Sequence, residues 1–401
     1  MKSKELMNNI CVVHYSEIAI KGGNRIFFEK QLIQNIKRAL EPHRFDKIRR
    51  LRGRIVIFLA SDVDETEIEV RLQHVFGIAV FSFGRVVPAN LKVIKSVGWE
   101  MMRNMEFESY RITTKRGQKE FPQNSVQINH EVGAYVEEKS GKRVDLKNPE
   151  ATLFIEITEQ GALLYTKKIQ GLRGLPVGSS ERAVSLLSSG IDSPVASYLM
   201  LKRGVQVIYA HFHSQPFTSR ASQENTEKLV QVLSRYQYYS KVYFVPFIDI
   251  QKEIMAKSPA RLRVLLYRRY MVRLSERIAW EEKARALITG ENVGQVASQT
   301  LSNIRVVAEV TPLPILRPLA GFDKEEIIQK AQSIGTFEIS IAPYEDCCSL
   351  FVPDKPATKA LPRSLAEAEL QLDMKAMLDD AMARAEVKTY NWPAKETGAT
   401  S

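Results

Sequence analysis

The stretch Leu186–Pro194, LLSSGIDSP, decides how the chain is read. Residues 183–188 look like a buried strand, the Ser/Gly run like a tight turn, and residues 194–203 like a helix. A Ser/Gly turn between a strand and a helix can gather backbone N–H groups and hydroxyls into an anion cradle. The chain has neither G-x-x-x-x-G-K-[ST] nor G-x-G-x-x-G, so this is no P-loop and no dinucleotide fingerprint. The same residues also fit a plain βα turn, with Asp192 and Ser193 capping a helix that starts at Pro194. Spacing alone leaves both readings open.

Around this turn the pattern is regular. Strand 183–188 leads to helix 194–203, strand 205–212, helix 222–236 and strand 241–247. A long helix at 261–283 follows, then strands at 284–289 and 313–317 and a helix at 324–334. Alternating β and α with nearly continuous apolar strands predicts a doubly wound parallel sheet, whose ligands sit beyond the carboxyl ends of its strands. Upstream the elements mix without strict alternation, which predicts α+β. The strands there are 10–20, 48–59, 79–87, 108–114 and a hairpin-like pair at 152–158 and 162–170. Helices are expected at 26–41, 65–75, 91–104 and around 127–139. Between the two regions GLRGLPVGSS (171–180) breaks the pattern and marks the main boundary. From Leu361 the tail is helix-like and Ala-rich, with a polar end.

At 401 residues, 44% hydrophobic and 8% aromatic, the chain can bury two or three cores. No apolar run approaches a membrane span and the N-terminus lacks a signal-peptide core, so a soluble cytoplasmic protein with no membrane partner is expected. Three cysteines, Cys11, Cys347 and Cys348, make no disulfide framework, and no CxxC pair suggests zinc. The net charge is +11. Residues 1–178 hold 29 basic against 21 acidic residues, and the remainder 28 against 25. The basic excess therefore sits in the front of the chain, which suits either a polyanion or a solvated basic face.

Three further stretches carry chemistry. TGENVGQVASQT (289–300) follows a strand, so its polar residues would gather at the same sheet edge as the first turn. HFHS (211–214) ends a third strand at that edge, and His213 is assigned no role. In FDKEEI (322–327) Asp323 and Glu326 fit a capping box, which leaves Lys324 in the first turn, where the helix dipole disfavours a cation. That lysine is either a tolerated surface residue or one aimed at phosphate. YEDCCSLFVPDKP (344–356) places two cysteines in a Pro-flanked loop, where a thiolate could act as nucleophile or sulfur carrier. Cys11, inside an apolar strand, reads as core.

Together these stretches resemble a known family. SSGIDSP is similar to the SGGxDS loop of ATP α-hydrolases, or PP-loop ATP pyrophosphatases, which adenylate a substrate oxygen and release pyrophosphate. TGENVGQVASQT, FDKEE and the late loop cysteine narrow the resemblance to the tRNA 4-thiouridine synthetases, the ThiI family. HYSEIAIKGGNRIFFE (14–29) is similar to that family's N-terminal ferredoxin-like domain. YRITTKRGQKEFP and RVDLKNPEATLFIEI are similar to its THUMP domain. The resemblance implies three domains: ferredoxin-like (1–62), THUMP (63–170) and PP-loop with a helical tail (171–401).

It also implies an activity. ATP, with Mg2+, would adenylate the C4 oxygen of uridine 8 in tRNA. Sulfur delivered as a persulfide by a cysteine desulfurase would then replace that oxygen, and a carrier role for thiamine thiazole synthesis would accompany it. Carried onto this chain, Asp192, Lys324, Cys348 and its rival Cys347 would be catalytic. ATP would be held by Leu186, Leu187, Ser188, Ser189, Gly190, Ser193, His211, Phe212, Arg268, Gly290 and Gln299. Lys115, Arg116, Lys142 and Arg143 in the THUMP domain, with Arg49, Arg50 and Arg52 beside it, would meet RNA phosphates. No metal ligand is assigned, and a homodimer is left open.

Two departures stand out. Ser189 replaces the second residue of the family's SGG; if that position needs a left-handed backbone, a non-glycine residue costs about 1–2 kcal/mol. The chain is also expected to be a short form without a rhodanese domain. The rival readings are another PP-loop adenylating enzyme and a tRNA-binding protein whose nucleotide site has decayed, with Ser189 as the first symptom.

Overall fold

The structure, a computed structural model, describes residues 8–41, 45–60, 62–117, 121–343 and 355–393. It divides into two compact units, Met1–Leu175 and Pro176–Ser401.

The first unit runs β1 (Asn8–His14), α1 (Arg25–Leu40), β2 (Phe45–Leu51), β3 (Arg54–Leu59), α2 (Glu65–Leu72) and β4 (Val80–Val87). It continues with α3 (Leu91–Met102), β5 (Ser109–Arg116), α4 (Ser125–Ser140), β6 (Arg143–Val144), β7 (Ala151–Thr158), β8 (Gly161–Tyr165) and β9 (Ile169–Gln170). All nine strands share one sheet, in the order β2-β3-β1-β4-β8-β7-β5-β6, with β9 beside β4. The single strand expected over 48–59 is instead a hairpin. Arg52 and Gly53 form its turn, Gly53 takes a left-handed φ of +84°, and Leu51 pairs with Arg54.

Strand alternation gives this sheet two different faces. On one, Ile94 and Val97 of α3 and Ile128, Val132 and Val136 of α4 pack on Ile112, Leu153, Ile155 and Leu164. On the other, Ile10, Val12, Val56, Phe58, Val86, Leu163 and Tyr165 form a cluster of strand residues only. Cys11 is buried, and burial pushes its thiol far up, which suits a core residue rather than a nucleophile.

The second unit runs β10 (Arg182–Leu186), α5 (Asp192–Lys202), β11 (Gln206–His213), α6 (Ala221–Gln237), β12 (Tyr239–Pro246), α7 (Ile248–Lys257), α8 (Arg263–Glu281) and β13 (Ala286–Ile288). Then come α9 (Leu301–Ala308), β14 (Ile315–Leu316), α10 (Lys324–Ile334), α11 (Phe337–Ser340), α12 (Pro362–Glu369), α13 (Met374–Ala383) and β15 (Glu386–Asn391). The strand order is β14-β13-β10-β11-β12-β15. The first five strands pair in parallel, while β15 runs antiparallel along the free edge of β12. An antiparallel edge strand on an otherwise parallel sheet is common, and it covers an exposed row of backbone groups.

Helix α8 supplies the middle of the core. Its Leu265, Leu266, Tyr270, Leu274 and Ile278 cluster with Val184 and Leu287 from the sheet and with Leu365, Ala368 and Leu378 from the tail helices. Beside this apolar contact Glu369 on α12 takes paired hydrogen bonds from Arg269 (2.8 Å, twice) and from Arg273 (2.6 and 3.0 Å). Burial alone would raise the Glu369 carboxyl, but the bonds from Arg269 and then Arg273 outweigh it and hold the group below its ordinary range.

Candidate active site

The chain leaves β10 toward β11 and later returns to β13 on the opposite side of β10. That reversal is the topological switch point, where a doubly wound sheet opens a crevice at the carboxyl ends of its strands. The turn after β10 and the loop after β13 therefore face each other. Their approach is close: a Cβ on Gly290 would lie 2.8 Å from the Ser193 nitrogen and 2.9 Å from the Asp192 carbonyl carbon. Only glycine fits there. Between the loops opens a cavity of about 580 Å³, lined by Leu186, Leu187, Ser188, Asp192 and Ser193 on one side and by Gly290, Glu291, Ser298 and Gln299 on the other. His211, Phe212 and Arg268 also line it.

Helix α5 starts at Asp192, two residues before Pro194, and no side chain caps it. The capping role that spacing allowed Asp192 and Ser193 is thus not taken up. Ser193 instead staples the turn: its Oγ accepts from the Ser188 N–H (2.9 Å) and donates to the Ser188 carbonyl (3.1 Å). The Ser188 hydroxyl in turn accepts from the Gly190 N–H (3.3 Å). Asp192 looks outward and accepts from Lys324 Nζ at 2.7 Å and from Gln295 Nε2 at 3.2 Å. The predicted capping box of Asp323 and Glu326 is present, so Lys324 sits at the first position of α10. Its unfavourable place on the helix dipole is offset by the Asp192 carboxylate. Residues 132 apart in sequence thus meet as an ion pair at the mouth of the cradle.

Neither Ser189 nor Gly190 has a left-handed backbone. The strain expected of a serine at this position is absent. Ser189 is fully buried, and its Oγ lies 3.2 Å from Ser222 Oγ on α6.

Glu291 is the main site residue that the motifs left unassigned. It is buried in the cavity wall between Arg268 (2.7 Å) and Arg317 (2.5 Å), and it also accepts from the Thr289 hydroxyl (3.0 Å). Arg268 further donates to Ser298 Oγ (3.0 Å), so it spans the floor of the site. Gln299 braces its own loop, with its carbonyl accepting from the Gly294 N–H at 3.0 Å. Cys347 and Cys348 lie outside the described residues. The chain re-enters the described structure at Lys355, and Pro356 lines the cavity.

The basic residues of the first unit divide by register. Arg49 pairs with Val56 and Lys115 with Glu156, so both belong to the face that carries the Ile10–Tyr165 strand cluster. Arg54 and Lys168 join them there, Arg54 bonded to the buried Glu156 and Lys168 3.8 Å above the Phe154 ring. Arg49 also bonds Gln160 (2.9 Å). Other predicted contacts have structural partners. Arg116 donates to the carbonyls of Phe121 (3.0 Å) and Gln123 (2.9 Å), Arg50 reaches Glu29 (3.3 Å), and Lys142 pairs with Glu108 (2.6 Å). Arg52 and Arg143 are exposed.

A parallel sheet with a serine-rich cradle at its switch point, an ion-paired aspartate at the helix start and an apolar cavity beside it defines the PP-loop ATP pyrophosphatase class. Residues 178–374 match the family described as thiamine biosynthesis protein (ThiI), residues 10–82 the ThiI ferredoxin-like domain and residues 91–167 the THUMP domain. A probable tRNA sulfurtransferase of Caldanaerobacter subterraneus subsp. tengcongensis is 43% identical over 93% of this chain and 98% of its own length. Another from Thermus thermophilus is 41% identical over 95% and 94%. A crystallised 4-thiouridine synthetase in complex with RNA and ATP superposes with a TM-score of 0.88 at 36% identity, over 96% of this chain and all of that one. The chain belongs to the ThiI family. Among the described residues no helix is long and apolar enough to cross a membrane.

Proposed function

We propose that the protein is an ATP-dependent tRNA sulfurtransferase that converts uridine 8 to 4-thiouridine. The observation that carries the reading is the cradle itself: a stapled Ser188–Ser193 turn with the Lys324–Asp192 pair at its mouth and a cavity of nucleotide size beside it. The cradle holds the β- and γ-phosphates through loop N–H groups and serine hydroxyls, while Lys324 neutralises charge that builds on the departing pyrophosphate. The uridine C4 oxygen attacks the α-phosphorus, the bond to the bridging oxygen breaks, and pyrophosphate leaves. A sulfur nucleophile then attacks C4 and expels AMP.

No group of three or more His, Cys, Asp or Glu side chains among the described residues could hold a metal ion. Asp192 is the carboxylate at the cradle, which suits Mg2+ that enters on the triphosphate with most ligands already supplied. Bound there, it would neutralise phosphate charge.

Sulfur arrives as a persulfide from a cysteine desulfurase and is taken by Cys347 or Cys348. The terminal sulfur attacks C4 and expels AMP; an external thiol then attacks the cysteine sulfur, which frees 4-thiouridine and leaves a mixed disulfide that a second external thiol reduces. The family description also makes a carrier role in thiamine thiazole synthesis part of this reading. The test is direct. Purified protein with unmodified tRNA, ATP and sulfide should release AMP only when tRNA is present, and nucleoside mass analysis should show 4-thiouridine. With a desulfurase and cysteine in place of sulfide, a Cys347→Ser/Cys348→Ser variant should lose thiolation and AMP release while pyrophosphate is still released as the adenylated tRNA forms. AMP release without tRNA, or none with it, overturns the reading.

The face of the first unit that carries the Ile10–Tyr165 strand cluster is the proposed RNA surface, because Arg49, Arg54, Lys115 and Lys168 gather on it. Phosphate contacts release counterions, so tRNA affinity should fall steeply with salt. Lys115→Ala should weaken binding and flatten the slope of log affinity against log salt by about one. An unchanged slope would remove Lys115 from the surface.

A further inference from the structure

Ser189 stands where the family's loop carries glycine, yet its surroundings are those of a built position. Its side chain does not line the cavity and lies among buried polar groups, Ser222, Thr226 and His211, of which His211 also forms part of the cavity wall. The donor order there can be assigned. His211 Nδ1 lies 2.9 Å from the Leu187 carbonyl oxygen, which can only accept, so Nδ1 carries the hydrogen. In a ring that carries a single hydrogen, Nε2 then accepts from the Ser222 hydroxyl at 3.4 Å. With its hydrogen so used, Ser222 Oγ accepts from Ser189 at 3.2 Å. Thr226 donates to the Ser222 carbonyl at 2.8 Å and stands 3.2 Å from His211 Nδ1 as a second acceptor.

The chain of bonds leaves the turn at Ser189 and returns to it at Leu187. It closes a ring around the two residues whose backbone leads into the cradle, and Leu187 N–H is itself fixed to the Ala210 carbonyl at 2.8 Å. From above, the turn is stapled by Ser188 and Ser193; from the side, Ser340 Oγ on α11 donates to the Gly190 carbonyl at 3.3 Å. A glycine at 189 would leave Ser222 with a buried, unused acceptor and a hole the size of a hydroxymethyl group.

We infer that Ser189 and Ser222 form a pair of positioning residues that hold the cradle from beneath through His211, so that in this chain the serine is required rather than tolerated. The inference rests on the ATP reading above. Neither hydroxyl touches the cavity, and both act through the backbone of residues 187–190.

The experiment is a double-mutant cycle of Ser189→Gly, Ser222→Ala and the combination, with ATP KM, kcat and melting temperature measured on the full chain. Each single variant should raise KM for ATP about fivefold while kcat changes less than twofold, and the double variant should match the worse single one. Ser189→Ala, which keeps the Cβ and removes only the hydroxyl, should behave like Ser189→Gly. An unchanged KM in either serine variant overturns the inference, as do effects that simply multiply. Equal losses in kcat and melting temperature with KM unmoved would mark a merely structural role and also overturn it. Failure of the wild-type chain to bind ATP would instead strike the proposed function, which the same titration reads separately.

Discussion

Gly290→Ala should lower kcat/KM for ATP by about 100-fold while leaving a folded protein, because misplacing a phosphate cradle by a fraction of an ångström forfeits most of its alignment. The added Cβ would press on backbone atoms, the Ser193 nitrogen at 2.8 Å and the Asp192 carbonyl carbon at 2.9 Å, and backbone cannot rotate aside as a long side chain can. Something must shift. The end of β13 is held by parallel pairing on both sides, so the first turn of α5 is the part that gives. Asp192 is in that turn, and its bonds to Lys324 and Gln295 would lengthen with it. Overpacking of this kind costs about 1–3 kcal/mol of stability, too little to unfold a domain of this size. Steady-state kinetics beside a melting curve check the claim; kinetics within threefold of wild type would show that the two loops are not held in contact.

That contact explains why much of the site was legible in the sequence. Each glycine loop follows an apolar strand, and doubly wound topology alone brings strand ends together. The capping box at Asp323 was readable for the same reason, since its two partners are three residues apart. What was not readable is pairing across elements. Glu291 meets Arg268 and Arg317 from two other elements, and nothing in TGENVGQVASQT marks that glutamate as buried. Ser189 looked like a defect because its partner Ser222 is 33 residues away. The hairpin at 45–59 was hidden by composition: Arg49, Arg50, Arg52 and Arg54 read as one basic strand, and only Gly53 betrayed the turn. Strand β15, EVKTYN, has no buried residue; it is a strand because β12 offers an open edge.

Glu369→Gln should destabilise the second unit by about 3–5 kcal/mol, the usual loss when one member of a buried ion pair is neutralised. The amide keeps the shape of the carboxylate but leaves two guanidinium groups facing each other. Arg269 is 8% exposed and Arg273 14%, so neither can turn to water without moving α8 from α12. The effect should depend on pH. The Glu369 carboxyl is held below its ordinary value in the folded chain, so its contribution is full above the unfolded carboxylate pKa and is lost as acid drives the folded group to bind a proton. Urea unfolding at neutral pH should therefore separate wild type from variant, and the gap should close in acid. A gap below about 1 kcal/mol at neutral pH would mean that the tail helices are held by their apolar contacts alone.

The antiparallel strand that ends the second unit also sets a timetable for synthesis. Every strand and helix of the first unit is available once residue 175 has been made, so that unit can fold while the ribosome is still translating. The second cannot finish so early. Tyr239 pairs with Asn391 and Phe244 with Glu386, and residues from 365 to 381 fill its core, so the sheet that carries the cradle stays incomplete until residue 391 has been made. A nascent chain therefore presents a finished basic sheet well before it can bind ATP.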